Sequence, residues 1–446
     1  MHFIGIDIGT SSICGVVYNP DNKTLESITR ENNASVESSH VWEKIQDATI
    51  IYQVVSDIIG EFFGRYSNIK GIGFSGQMHG MLYVNEEGYA ISPLYTWQDE
   101  RASQIYKNDK TYAEYLSDTT GYSLATGYGL VTHFYNIENQ IVPHGATKLC
   151  TIMDYVVMKL CGNTTLLTDY SNAASLGFFD IENLDFDVDA LNKVGIDSAV
   201  LPETAESPKL VGYYNEVPMY SAIGDNQASF LGSVQNIDNS IHVMVGTSSQ
   251  ISVYSPTYVS VKPLDTRPFP GGGFLLVGAA LCGGQSIDIL KKLFESIVEF
   301  FFNENNGKID YYQKISTLDY EKYSNNLPIV NTLFAGTRSE PEKRGSIINI
   351  STSNLTPENL IIGFTKGVCN ELLEFYKLIP EYITKEKTIL VGSGNGIKKN
   401  VLLRKIMENS FQRELIQSSY QEETAFGACK CAIVGGGYIK TYKDFC

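Results

Sequence analysis

The tetrapeptide Gly-Thr-Ser-Ser occurs twice in this chain, at Gly9–Ser12 and at Gly246–Ser249. Each copy lies between β-branched runs: Phe3–Ile8 and Ile13–Tyr18 around the first, Ile241–Val245 and Gln250–Tyr254 around the second. Such runs on either side of a small turn predict a β-hairpin, so the same hydroxyl-rich tip is to be built twice. A tip without bulky side chains presents backbone N–H groups and hydroxyls, which is what a phosphate needs. Two ordinary hairpin turns are the plain alternative. Two tips, one in each half, point to a cleft that grips a nucleotide from both sides.

Strand and helix signals alternate around each hairpin. In the first half a helix-like stretch runs from about Trp42 to Phe63. A strand at Lys70–Ser75 then ends in Gly76-Gln77-Met78-His79-Gly80. In the second half Phe274–Val277 reads as a strand that runs into Gly283-Gly284. Ser286 is the expected N-cap of a helix striped by Ile287, Ile289, Leu290, Leu293, Phe294, Ile297, Val298 and Phe301. Glu358–Tyr376 reads as a helix and Thr388–Val391 as a buried strand emptying into Gly392–Gly396. Helices follow from about Asn400 and over Glu423–Gly435. Alternation of this kind predicts an α/β fold. At 446 residues the chain exceeds one compact core. The division expected is 1–236 and 237–446, the boundary falling beyond the Pro- and Gly-rich stretch Pro202–Pro218.

A formal net charge of −16 argues against a general nucleic-acid or anionic-membrane binder. It leaves room for a local anion site made of backbone amides. No apolar run reaches a membrane span, and Met1-His2-Phe3 leads straight into a strand. A reduced, cytoplasmic setting is therefore the expectation. The 8 cysteines contain no Cys-x-x-Cys pair, and Cys429-x-Cys431 reads as helix packing. The 6 histidines have no ligand spacing, so a His-based metal site is not expected.

Four groups of residues have the composition of a site. Asp7 interrupts an apolar strand just before the first tip, where a carboxylate must be solvated, hydrogen-bonded or bound to a cation. Near phosphate that cation is Mg²⁺; a turn cap is the other reading. Asp225 follows Ile223-Gly224 and opens a predicted helix, either as an N-cap or as a general base that takes a hydroxyl proton. Gln77, Met78 and His79 lie between two glycines that allow a sharp turn. Trp97-Gln98-Asp99-Glu100-Arg101 combines an indole with amide, carboxylate and guanidinium groups, a set that suits a polyol.

Taken in chain order, these motifs resemble the FGGY carbohydrate kinases along nearly the whole sequence. The matching segments are Gly5–Ser12, Gly76–Gly80, Trp97–Arg101, Thr168-Asp169-Tyr170-Ser171-Asn172-Ala173-Ala174, Gly224-Asp225, Val245–Ser248, Phe334-Ala335-Gly336-Thr337-Arg338, and Gly394 to Asn400. The resemblance implies two actin/hexokinase-like (ribonuclease H-like) domains around a central cleft, an N-terminal domain for sugar and a C-terminal one for ATP. It implies Asp225 as the catalytic base, with Asp7 supporting Mg²⁺, through water or directly, and the phosphates. Thr10, Ser11, Gly246 and Thr247 would face the phosphates. Gly284, Gly394 and Asn400 would lie near the adenosine. Gln77, Met78, His79, Trp97, Asp99 and Asn226 would serve the sugar. Gly-Gln-Met-His-Gly is similar to the branch shared by xylulokinases and sedoheptulokinases. Thr96–Asp99, Ala125–Gly129 and Asn172–Ser175 lean toward the latter. The expected reaction is ATP-dependent phosphorylation of the terminal hydroxyl of a ketose, sedoheptulose first and D-xylulose as the alternative. A non-catalytic actin-like sugar sensor is the reading from a different class. One departure bears on the sugar: many members carry a Lys and a Trp where this chain has His133-Phe134-Tyr135-Asn136. The expected partners are a small-molecule ketose and ATP, with no nucleic acid and no membrane; a homodimer stays open.

Overall fold

The computed structural model describes residues 1–302, 311–323, 326–337, 340 and 342–445. The chain forms two compact units. One comprises Met1–Gly232, Arg267–Phe274 and Tyr420–Cys446, the other Ser233–Thr266 and Leu275–Ser419.

In the first unit the opening run forms strands β1 (His2–Ile8), β2 (Ser12–Asn19) and β3 (Thr24–Glu31), an antiparallel meander. Alternation places Ile4, Ile6 and Ile8 on one face, all fully buried. Helix α1 (Ala48–Arg65) buries Ile51, Val55, Ile58, Ile59 and Phe62 in the same core. It starts later than Trp42, because the Asp47 carboxylate accepts from the N–H groups of Thr49 and Ile50 and fixes the first turn there. The residues just before it, Ile45–Gln46, pair instead with Leu94–Tyr95.

Strand β4 (Ile69–Gly76) joins β1 in parallel. Two helices of the same unit come into play later, α2 (Gly129–Glu138) and α3 (Ile152–Cys161). Strands β5 (Leu210–Tyr214) and β6 (Val217–Tyr220) complete the order β5-β6-β4-β1-β2-β3, and the short β7 (Ile223–Gly224) also pairs with β4. Helix α4 (Asp225–Ser233) follows directly.

The second unit repeats the plan. Strands β8 (Ser240–Val245) and β9 (Ser249–Ser255) form the second hairpin. With β10 (Asp265–Pro268) and β11 (Phe274–Ala280) they belong to a sheet of order β10-β11-β9-β8-β12-β13. Helix α5 (Gly284–Phe302) begins before the expected Ser286 cap, whose hydroxyl donates to Cys282 O at 2.9 Å inside the helix. Of the expected stripe, Ile287 and Leu290 are buried, whereas Ile289, Leu293, Ile297, Val298 and Phe301 are exposed. The stripe is wider than the face the core covers. Helix α6 (Pro357–Leu378) supplies Ile362, Val368 and Leu372 to this core. Strand β12 (Ile389–Ser393) runs parallel to β8 and leads into α7 (Gly394–Lys399), α8 (Val401–Phe411) and strand β13 (Leu415–Gln417).

The compact units differ from a single division at 236. The last helix, α9 (Glu423–Gly435), packs on β1 and β4 of the first unit. Glycines allow the approach: a Cβ at Gly73 would sit 2.0 Å from Ala428 O, and one at Gly427 would sit 1.9 Å from Ala228 O. Cys429 and Cys431 are fully buried within α9. No helix among the described residues is long and apolar enough to cross a membrane.

Candidate active site

Asp225 occupies the first position of α4, and its place is fixed by the Thr168–Ala174 motif. The fully enclosed Asp169 accepts from Ser171 N–H at 2.8 Å and from Ser207 N–H at 3.0 Å, and also from the Ser171 hydroxyl. Ser171 Oγ in turn accepts from Gly224 N–H at 2.9 Å, and Asn172 donates to Ala222 O at 2.9 Å. The strand that delivers Asp225 is therefore held on both sides of Ile223. Asp225 itself is exposed to solvent. The protein mass around it still raises its carboxyl above the ordinary value; the Arg267 guanidinium and the Asn226 N–H pull the other way. Asn226 keeps a buried side-chain oxygen without a donor. Met78 is buried beneath the turn, its sulfur 2.6 Å from where a Cβ on Gly224 would lie.

Asp7 stands opposite Cys14 in the β1–β2 register, at the base of the first tip. One carboxylate oxygen is buried without a hydrogen-bond partner. Burial, then the nearby Asp225 and then Glu422, push its carboxyl up to about 8. Among the described residues no group of three or more His, Cys, Asp or Glu side chains is placed to hold a metal ion, but the unpartnered Asp7 oxygen fits a divalent cation brought in with phosphates, since Mg²⁺ keeps few protein ligands.

The first tip is braced by its neighbours. Asn32 donates to Gly9 O at 2.9 Å and its N–H donates to Ser11 O at 3.0 Å, while Ser11 is exposed. Thr10 enters a closed hydrogen-bonded ring. Its hydroxyl donates to Gln77 Oε1 at 3.1 Å, Gln77 Nε2 donates to Gln46 Oε1 at 2.9 Å, and Gln46 Nε2 returns to Thr10 O at 2.9 Å. Trp97, nearly half exposed, donates its indole N–H to Thr10 Oγ1 at 2.9 Å. The expected sugar residues Gln77 and Trp97 and the expected phosphate residue Thr10 thus form one network.

His79 adopts a left-handed backbone conformation at φ 75°, which costs a non-glycine residue free energy. Ser175 holds it there: Oγ accepts from His79 N–H at 3.1 Å, and Ser175 O lies 2.9 Å from Nδ1. A carbonyl only accepts, so Nδ1 carries the proton. Tyr128 stacks on the imidazole with centroids 4.6 Å apart.

Asp99 has a different part from the one expected. Its carboxylate is fully buried and accepts from Arg101 Nε at 2.6 Å, Arg101 Nη2 at 3.1 Å, Arg101 N–H at 3.1 Å and Lys44 N–H at 3.0 Å. With its oxygens so occupied, it anchors the Trp97 loop. Arg101 is also buried, over the Tyr95 ring at 4.1 Å, and donates to Glu43 and Asn136, both at 2.8 Å. Asn136 and His133, on α2, belong to this scaffold: Asn136 donates to Tyr83 Oη at 3.2 Å, which lies 2.7 Å from His133 Nδ1.

In the second unit the Gly283-Gly284 turn closes on the second tip. The N–H groups of Gly283, Gly284 and Gln285 donate to the carbonyls of Thr247, Gly246 and Thr247 at 2.8–3.0 Å. These first amides of α5 are committed to the tip, so Gly284 supports it instead of offering an open N–H. No heavy atom lies within 4 Å of a Cβ built on Gly246, so the tip is open there. Gly394 has φ +82° and a Cβ there would lie 2.6 Å from Val245 O, a position only glycine fills easily. Asn400 caps α8 by accepting from Leu403 N–H at 3.0 Å and is buried. Arg338, of the expected Phe334–Arg338 motif, lies outside the described residues.

Sequence reasoning did not find Gln46, Asn32, Arg267 or Glu422. Each is remote along the chain from the motif it serves.

Residues 2–232 match the model of the FGGY family of carbohydrate kinases, N-terminal domain. The chain is 27% identical to mouse (Mus musculus) sedoheptulokinase, covering 92% of both proteins. It is 25% identical to the xylulose kinase of Staphylococcus xylosus, covering 99% of this chain and 92% of that one. The crystal structure of gluconate kinase from Lactobacillus acidophilus superposes with a TM-score of 0.84 at 19% identity, covering 100% of this chain and 91% of that one. That likeness shows the two-domain α/β, actin-like fold of the sugar kinases. The N-terminal match spans more than half the chain, and the protein is a member of the FGGY family of carbohydrate kinases.

Proposed function

We propose that this carbohydrate kinase transfers the γ-phosphoryl group of ATP to the terminal primary hydroxyl of sedoheptulose. The observation that carries the reaction is the pairing of a solvent-accessible Asp225 with the buried, partnerless oxygen of Asp7. Asp225 takes the hydroxyl proton while the sugar oxygen bonds to phosphorus and ADP leaves with the bridging oxygen's electrons. Its raised proton affinity suits that role. Asp7, with Glu422 nearby, would hold Mg²⁺, and the bound ion would offset phosphate charge. Thr10, Ser11, Gly246 and Thr247 would receive the phosphates, with Gly394 at the nucleotide and Gly284 and Asn400 supporting that side. Gln77, His79, Trp97 and Asn226 would meet the sugar, with Met78 and Asp99 beneath them.

The choice of sedoheptulose rests on the similarity to sedoheptulokinase at 27% identity. D-Xylulose is the second reading, favoured by the similarity to xylulose kinase over 99% of the chain. Asp225→Asn is expected to lower turnover by about 10²–10⁴-fold with the ketose KM within a few-fold of wild type. Near-normal turnover would remove Asp225 from the base role.

A further inference from the structure

The direction of every hydrogen bond in the Thr10 ring is forced by its ends. Thr10 O can only accept, so the atom of Gln46 facing it must be nitrogen. Gln46 Oε1 then faces Gln77 Nε2, which leaves Gln77 Oε1 for the Thr10 hydroxyl. The Trp97 indole can only donate, and it completes Thr10 Oγ1 from the other side. Gln46 is itself 2% exposed and Gln77 4%, so both amides are satisfied within the ring and not by bulk water. Gln46 therefore bridges the Gln77 side of the ring to the backbone carbonyl of Thr10 in the glycine-threonine tip.

We infer that Gln46 is a positioning residue that couples occupancy of the sugar side, Gln77 and Trp97, to the geometry of the phosphate tip at Thr10. The inference rests on the kinase reading above. A group that displaces Gln77 or Trp97 alters the Thr10 hydroxyl and, through Gln46, the Thr10 carbonyl. Nucleotide affinity and sugar affinity are then linked, and the linkage is reciprocal.

The test uses the full chain. Binding of a non-hydrolysable ATP analogue with Mg²⁺ is measured by calorimetry with and without saturating ketose, alongside kcat and both KM values, for wild type, Gln46→Leu and Gln46→Glu. Gln46→Leu removes both links. Gln46→Glu keeps the acceptor for Gln77 but loses the donor for Thr10 O until its carboxyl is protonated. Wild type is expected to bind nucleotide about 5–150-fold more tightly with ketose, the usual span of such coupling. Gln46→Leu is expected to bring that ratio close to one at all pH values. Gln46→Glu is expected to behave likewise at pH 8 and to regain coupling relative to wild type as the pH falls toward 5. A purely structural role would lower stability without this pH-dependent recovery. An active wild type beside a Gln46→Leu variant with unchanged coupling overturns the proposal alone, as does a Gln46→Glu variant that never departs from Gln46→Leu. A wild type that phosphorylates no sugar overturns the functional reading and the proposal with it.

Discussion

Replacing Arg101 by Met tests the claim that the Trp97 loop hangs on a buried ion pair. Asp99 is fully buried, and the Arg101 side chain donates to it from Nε at 2.6 Å and Nη2 at 3.1 Å. Hydrogen bonds to charged groups contribute about 1.5–3 kcal/mol each, so two of them amount to roughly 3–6 kcal/mol. Removing one partner of a buried pair costs about 3–5 kcal/mol, because the other charge stays buried. The two routes agree. At about 2–4 °C per kcal/mol for a unit of a few hundred residues, the melting midpoint is expected to fall roughly 6–20 °C. The Asp99→Asn/Arg101→Met double variant removes the orphaned charge while leaving an acceptor for Lys44 N–H, which now lies 3.0 Å from Asp99. It is expected to recover at least half of the loss. The assay is thermal and urea unfolding of wild type and the two variants with the ketose KM measured on each. A single variant within about 1 kcal/mol of wild type, the span of exposed pairs, would refute the reasoning. A double variant no better than Arg101→Met would place the cost in lost ring packing instead of charge.

Three further outcomes follow from the same geometry. The Asp7 carboxyl sits near 8 against an ordinary value of 3.8, so the folded state holds a proton that the unfolded state has lost across that window. Stability of the ligand-free protein is expected to fall as pH rises from about 4 to 8. Asp7→Asn should flatten that slope, raise the melting temperature at pH 8 and lower turnover; a slope equal to wild type would contradict the environment assigned to Asp7. Gly427→Ala forces a Cβ against Ala228 O on α4, at 1.9 Å. Overpacking costs typically about 1–3 kcal/mol, and calorimetry should show it with reduced turnover, since α4 carries Asp225; an unchanged melting curve would mean that α9 can move. Asn32→Ala removes the brace on Gly9 O and is expected to raise the KM for ATP more than that for the ketose, which steady-state kinetics with each substrate varied will show; equal changes would argue against a phosphate role for the tip.

Local signals carried most of the fold. The two hairpins were legible because β-branched runs met a small turn, and the register Val245↔Ser249 matches that reading. The return of α9 to the first unit was not legible, because small residues such as Gly427 and Ala428 mark close packing without naming the neighbour. The start of α1 was misplaced because apolar residues near Trp42 mimic helix periodicity, while the Asp47 cap decides the first turn. Asp7 was readable as a costly carboxylate in an apolar strand, and Asp225 as a carboxylate that opens a helix, N-cap or base. Asp99 was not readable as an inward anchor, since nothing in Trp97–Arg101 tells whether the carboxylate turns to a ligand or to Arg101. Asn400 was read through the family motif, and its part as an N-cap needed Leu403 N–H in view.

Mg·ATP turnover, followed as ADP release against sedoheptulose, D-xylulose, L-ribulose, D-fructose and glycerol, tests the central claim most directly. Sugar-dependent ADP release with the highest kcat/KM for sedoheptulose is expected, and it should vanish with Asp225→Asn. ATP hydrolysis that ignores every acceptor, or no turnover with any of them, would contradict the phosphoryl-transfer account.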